Sequence, residues 1–354
     1  MAAESPSDDR PALDACGQLL AQRLTAAGAA VERVPAGTTT AHVLARWPGG
    51  GAPVLLVGHF DTVWPVGQLA RMPLEERDGR LFGPGILDMK AGLAIGVTAA
   101  RAVAATVPLA DRPRVTMFAT SDEEVGSQTS RAHIERLARE HAAVLVLEPA
   151  LPGGGIKTSR KGVGEFEILA EGISSHAGAD PGAGASAVHE LARQIVRIEA
   201  LGDPARGLTV NVGVIEGGTR SNVVAERAHA LIDVRVSRIE DAAAIEAALL
   251  GLQPVDPRVR LTVRGRISRP PMERTPGIAR LYALAREVAA GFGRTLEEGV
   301  SGGGSDGNFT AAIGAATLDG IGAVGDGPHA LHEHVIVDEL VPRAALVAGV
   351  MVRV

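Results

Sequence analysis

The 354-residue chain predicts an α/β protein, a three-layer domain on a mostly parallel sheet, with an inserted α+β unit. Three observations lead to this reading. Short apolar runs alternate with helical patterns through the first part, which is the order that builds a parallel sheet covered on both faces. From about Lys161 the pattern changes to β-α-β-β-α-β, the order of a ferredoxin-like antiparallel unit. The Pro-rich stretch ISRPPMERTP, residues 267–276, then returns the chain to helical patterns.

In order, HVLARW (42–47) and APVLLVGH (52–59) read as strands, and DMKAGLAIGVTAARAVAA (88–105) as a helix opened by Asp88. RVTMFATS (114–121) is a strand, SQTSRAHIERLAREH (127–141) a helix and AAVLVLE (142–148) a strand. In the insertion, GEFEILAEG (164–172) alternates with period two, and SAVHELARQIVRIEAL (186–201) is helical. LTVNVGVIEGG (208–218) and AERAHALIDVRV (225–236) are strand-like, AAAIEAALLGL (242–252) is helical and RVRLTVRG (258–265) closes as a strand. IARLYALAREVAAG (278–291) and VDELVPRAALVAGVMV (337–352) supply further helices. The expected domains are 1–160 with 267–354, and 161–266.

With 46% hydrophobic and 21% charged residues the chain is a soluble globular protein long enough for more than one core. A formal net charge of -6 offers no support for a nucleic-acid or anionic-membrane surface. Cys16 is the only cysteine, which excludes an intrachain disulfide and a thiolate metal site, so any metal must be held by oxygen and nitrogen. The N-terminal residues lack a basic region followed by an apolar one, and no stretch reaches the roughly 20 apolar residues of a spanning helix. The expected location is cytoplasmic. Among 44 glycines, PGGGI (152–156) and SGGGSDG (301–307) read first as turns, because a phosphate loop requires a strand, a Gly loop and a helix in succession.

Polar residues stand just past the presumed strand ends, where sheets of this type collect ligands: His59 and Asp61, then Glu123 and Glu124, then Glu148. Asp88 and the trio His329, His332 and His334 add further ligand types. Singly, each has a plain structural reading: a hydrogen-bonded histidine, a helix cap at Asp88, a loop acid at Glu148. Together they suit zinc, with cobalt or manganese as substitutes, and are numerous enough for two ions bridged by one carboxylate.

The motifs GHFDTV, GPGILDMKAG, DEEVGS, LEP, SSHAG, GGTRSNVV, DVRV, SGGGSDGNF and GDGPHALHEHV resemble, in this order over nearly the whole chain, the di-zinc metallopeptidase family. That family contains glutamate carboxypeptidases, aminoacylases, acetylornithine deacetylases and succinyl-diaminopimelate desuccinylases, and the first branch is the nearest. The resemblance implies that His59, Asp88 and Glu148 hold one zinc and that Asp88, Glu124 and His329 hold the other, with a cis peptide after Asp88. It implies Glu123 as general base and Asp61 as acceptor of the second N–H of His59. The family's C-terminal histidine ligand stands four residues before a glutamate, as His329 does before Glu333; His332 is the alternative.

By the same resemblance the insertion is a lid and dimerisation domain whose His176 reaches a partner's active site to stabilise an oxyanion. Asn222 and Arg235 match substrate-contacting positions, and a guanidinium can grip a carboxylate through two hydrogen bonds. Gly303, Gly304 and Ser305 would line a carboxylate pocket with backbone N–H groups. Lys161, Lys157 and Arg269, near the domain hinges, could read an acidic side chain. The family also has a further helix before residues 4–20, a departure that bears on packing rather than chemistry.

The expected activity is zinc-dependent hydrolysis of an amide bond, releasing a C-terminal amino acid from a small substrate with a free carboxylate, in a homodimer. The alternatives are an aminoacylase or deacylase of a biosynthetic intermediate and a catalytically silent binding protein on the same scaffold. The intact Glu123 argues against the silent protein. Asp122 is left without a role beyond facing the loop backbone.

Overall fold

The structure, a computed structural model, describes residues 2–354. The chain forms two compact units. One comprises the residues up to Ser159 together with Arg274–Ser301 and Ser305–Val354; the other comprises Arg160–Glu273 and Gly302–Gly304.

The first unit is built on a six-stranded sheet in the order Ala30–Val34, His42–Trp47, Arg114–Thr120, Pro53–His59, Ala143–Val146, Thr317–Leu318. The last four strands are mutually parallel, with His59 opposite Thr120 and Val57 opposite Val146. HVLARW pairs antiparallel on both sides; with Ala30–Val34 it forms a hairpin, because the short loop between them permits no crossover. Every residue of the central three strands is buried except the first of Pro53–His59 and of Arg114–Thr120. That is why they read as continuous apolar runs. Leu55, Val57, Phe118, Val144 and Val146 form a core with Ile134 and Leu137 of the helix Arg131–Arg139.

Helix α1, Arg10–Ala26, was not among the expected elements, yet it carries start signals: Asp9 accepts from the Ala12 N–H at 3.0 Å, and a proline stands in the first turn. Helix α2, Ala91–Thr106, begins later than Asp88, the expected opening residue. A second, four-stranded sheet orders Gly325–Asp326, His334–Ile336, Arg80–Phe82 and Glu75–Arg77. It brings the loop around residues 327–333 to the loop around residues 83–90, contacts that local pattern does not reveal.

The second unit has the expected β-α-β-β-α-β order. Its sheet runs Thr209–Gly217, Arg227–Val236, Gly162–Glu171, Arg260–Arg269, all antiparallel. Alternate residues of Gly162–Glu171 and Arg227–Val236 are buried, so Phe166, Ile168, Ile232 and Val234 meet Leu191 and Leu249 of the helices Ala187–Glu199 and Ile239–Leu250 in one core.

Candidate metal centre

The parallel strands deliver three of the candidate ligands to one edge. His59 ends the strand Pro53–His59 and is 1% exposed. Its Nδ1 lies 3.0 Å from the Asp61 carbonyl oxygen and 3.5 Å from Asp61 Oδ1, so the backbone carbonyl, rather than the expected carboxylate, is the nearer acceptor of the second N–H. The Asp61 carboxylate, fully buried, instead accepts the Glu123 N–H at 3.2 Å, the Glu124 N–H at 3.1 Å and the Ser7 hydroxyl at 2.9 Å. Three donors balance its charge there. It therefore holds the backbone of the two adjacent glutamates that follow the strand Arg114–Thr120.

Asp88 does not cap α2. Its φ of -114° and ψ of 93° are non-helical, and the peptide joining it to Met89 is cis. Its carboxylate faces two histidines, Oδ1 lying 3.1 Å from His59 Nε2 and Oδ2 3.4 Å from His329 Nε2. Glu148 Oε1 is 3.6 Å from His59 Nε2, and Glu124 Oε2 is 3.4 Å from His329 Nε2. Two sets of mutually close ligand atoms result, His59 with Asp88 and Glu148, and Asp88 with Glu124 and His329; within each they lie within 4.8 Å of one another. Asp88 belongs to both sets, offering one oxygen to each histidine.

Glycine is required at two positions that pack against the strand end presenting Glu148. A Cβ on Gly92 or on Gly322 would stand 2.0 Å from the Leu147 carbonyl oxygen, so any other residue at either position would displace the strand end next to Glu148. His329 is held at a φ of 62°, a conformation few residues other than glycine adopt, and its side chain is 51% exposed.

The electrostatics of the cluster are those of a cation site. Burial opposes ionisation of Asp88, yet the His329 and His59 imidazoles hold it well below the usual carboxylate range. Burial likewise opposes charge on His59, but the carboxylates of Asp61, Asp88 and Glu148 raise it well above its ordinary value. Asp88 and Glu124 push His329 up to about 10. Burial raises the Glu124 carboxyl, and Glu124 Oε1 is buried with no hydrogen-bond partner. Protons on the histidines balance the acids here; a divalent cation in each set would do so better and give Glu124 Oε1 a partner. Nitrogen and carboxylate donors without sulfur fit zinc-like ions.

Glu123 stands next to Glu124, partly exposed and outside both ligand sets. Asp122 is buried; its Oδ2 accepts the Thr129 N–H at 2.7 Å, the Thr129 hydroxyl at 2.7 Å and the Ser130 N–H at 3.3 Å, and so fixes the entry to the helix Arg131–Arg139. His332 and His334 are in neither set.

In the second unit, His176 is exposed, and its Nδ1 accepts the Gly178 and Ala179 N–H groups at 3.1 and 3.0 Å. That pairing leaves the proton of the neutral ring on Nε2, pointing away from its own loop. Asn222 lies beside it, its carbonyl accepting the Ala177 N–H at 2.9 Å. Arg235 grips Asp233 through Nε and Nη2, both at 2.9 Å. Arg269 and Lys157 are buried, and Lys161 is partly exposed. Gly303 and Gly304 belong to this unit, and their carbonyls accept from Arg160 Nη1 at 3.1 and 3.2 Å. Ser305 departs from its expected role. It is fully buried in the first unit, its N–H donates to Asn308 Oδ1 at 2.8 Å and its hydroxyl to Asp319, so neither group is presented to a substrate.

Two residues with positioning roles escaped the sequence reading. Arg160 holds the Gly-rich loop. Glu333, fully buried, accepts the Trp64 indole N–H at 2.8 Å and the backbone N–H groups of Gly85, Leu87 and Asp88 at 2.9, 2.9 and 3.1 Å. Four donors on one carboxylate fix the loop that carries Asp88. Only the spacing His329 to Glu333 hinted at it, since the bonded residues lie 245 to 269 positions away along the chain.

A family model described as Peptidase family M20/M25/M40 matches residues 55–353. Carboxypeptidase G2 of Pseudomonas sp. (strain RS-16) is 29% identical over 98% of this chain and 85% of its own. Succinyl-diaminopimelate desuccinylase of Xanthomonas campestris pv. campestris (strain B100) is 30% identical over 95% of this chain and 92% of its own. Among solved structures, the aminopeptidase PepT of Bacillus cereus ATCC 10987 superposes with a TM-score of 0.84 and 22% identity, covering 99% of this chain and 94% of that one, a likeness of fold.

Proposed function

Because the chain belongs to peptidase family M20/M25/M40, whose members are metal-dependent hydrolases, we propose that it cleaves the amide bond of a small substrate bearing a free carboxylate and releases the C-terminal amino acid. The observation that carries this reading is the pair of ligand sets joined at Asp88, with Glu123 beside but outside them. The similarity to Carboxypeptidase G2 over almost the whole chain supports the exopeptidase assignment. The similarity to a desuccinylase supports a second reading, removal of an acyl group from an amine, which uses the same residues.

His59, Asp88 and Glu148 would hold one divalent cation and Asp88, Glu124 and His329 a second, with zinc the best match to the donor set. Cations bound there supply polarisation of the scissile carbonyl and acidification of the attacking water. Glu123 takes the proton of that water and passes it to the leaving nitrogen. Asp61 positions Glu123 by accepting its backbone N–H. His176 donates from Nε2 to the oxyanion, acting on a second copy of the chain in a homodimer formed through the second unit. Arg235 binds the substrate carboxylate by exchanging Asp233 for it, with Asn222, Gly303, Gly304, Arg269 and Lys161 as further contacts.

The experiment is to strip metals with a chelator, restore zinc, cobalt or manganese, and assay a panel of dipeptides, N-acyl glutamates, and acetyl and succinyl amines. Metal-restored release of a C-terminal amino acid supports the first reading. Preference for succinyl or acetyl amines selects the second, and no metal-restored hydrolysis across the panel contradicts both.

A further inference from the structure

A cavity of about 380 Å³ opens between α1 and α2 in the first unit. Leu20, Phe60, Leu93 and Val97 supply much of its apolar wall, and its two charged lining residues are both cations, Lys90 and Arg23. Lys90 is 8% exposed. Its ammonium makes no hydrogen bond or ion pair among the described residues.

The acids whose charge reaches Lys90 do not serve as its partners. Glu4 accepts the Gly67 and Leu69 N–H groups, Glu333 accepts four donors, and Asp61 accepts three. Of the lining residues only Cys16 and Thr98 carry side-chain atoms that could accept, and neither is hydrogen-bonded to Lys90, so its ammonium has no protein acceptor in the cavity. The volume falls in the range of small-molecule sites, in which apolar walls surround a few polar groups that set orientation.

We infer that this cavity binds a monocarboxylate with an apolar tail, the carboxylate accepting from Lys90 Nζ and the tail lying along Leu20, Phe60, Leu93 and Val97. No residue of the two ligand sets lines the cavity, and binding there does not depend on the reaction assigned to them.

The test is calorimetric titration of the metal-loaded full chain with octanoate, with octanol as the uncharged control. Saturable one-to-one binding of octanoate is expected, with octanol at least about tenfold weaker. Leu20→Trp, which fills the tail end, and Lys90→Met should each weaken octanoate binding by at least about tenfold. Should Lys90→Met fail to fold, the octanol comparison and Leu20→Trp decide alone. Absence of saturable binding, octanol binding as tightly as octanoate, or unchanged affinity in Leu20→Trp, which would place the ligand elsewhere, each overturns the inference.

Discussion

Adjacent carboxylates repel, and Glu123 and Glu124 can coexist at one strand end because their environments differ. Glu124 faces His329 at 3.4 Å with its other oxygen unpaired and buried, whereas Glu123 lies outside both ligand sets. Replacing Glu123 by Gln should therefore lower kcat by about 10² to 10⁴-fold while metal content stays unchanged. Steady-state kinetics together with metal analysis check both halves, and retained activity would remove Glu123 as the base. Glu333 makes a different prediction, since it bonds the backbone of the Asp88 loop and is itself in neither ligand set. Glu333→Gln keeps the shape but loses the charge that holds three backbone N–H groups, so metal affinity should fall by about 10 to 100-fold. Titration against a competing chelator reads this directly, and an unchanged affinity would reduce Glu333 to packing.

At the scale of elements, what was legible in the sequence followed burial. The parallel strands are covered on both faces, so their apolar runs, and with them the polar residues past their ends, stood out. The insertion was legible because period-two alternation and helical spacing are local properties. The opening of α2 was misread because Asp88 has the composition of a cap, while its actual conformation is set by Glu333, far away along the chain. Ser305 was misread for a like reason, its partners Asp319 and Asn308 being unrecognisable as such from a Gly-rich stretch.

Burial of polar groups at strand ends also has a consequence for pH. His42, fully buried, lies with Nδ1 3.0 Å from the Ser121 hydroxyl and Nε2 3.2 Å from the Thr129 hydroxyl, and burial pulls its pKa below the ordinary value. Asp122 opposes that shift without reversing it. The unfolded chain therefore binds more protons than the folded one between the two values. This contribution to stability is complete above about pH 6.5 and is lost as the pH falls below it. Denaturation at pH 7 and pH 5 should show a larger loss in the wild type than in His42→Gln; equal losses would contradict it.

For the whole molecule, the first unit is held in part by residues that gather charge. The acids Asp88, Glu124 and Glu148 meet two histidines, and a cation in each set would replace protons that these groups otherwise share. Ligand linkage would then stabilise the loaded protein by about 2.7 kcal/mol per site at a metal concentration 100-fold above Kd. Chelation should lower Tm, and zinc should restore it; identical melting curves would contradict a structural contribution from the metals. No helix among the described residues is long and apolar enough to cross a membrane. The oligomeric state enters through the proposed role of His176. Sedimentation should show a dimer, and His176→Ala should lower kcat without releasing metal.

The sharing of Asp88 between two cations is the central claim, and anomalous diffraction from crystals of the zinc-loaded protein tests it most directly. Two zinc peaks per chain are expected, one coordinated by His59 and Glu148, the other by Glu124 and His329, with one Asp88 oxygen on each. A single peak, or two peaks of which only one contacts Asp88, would contradict it.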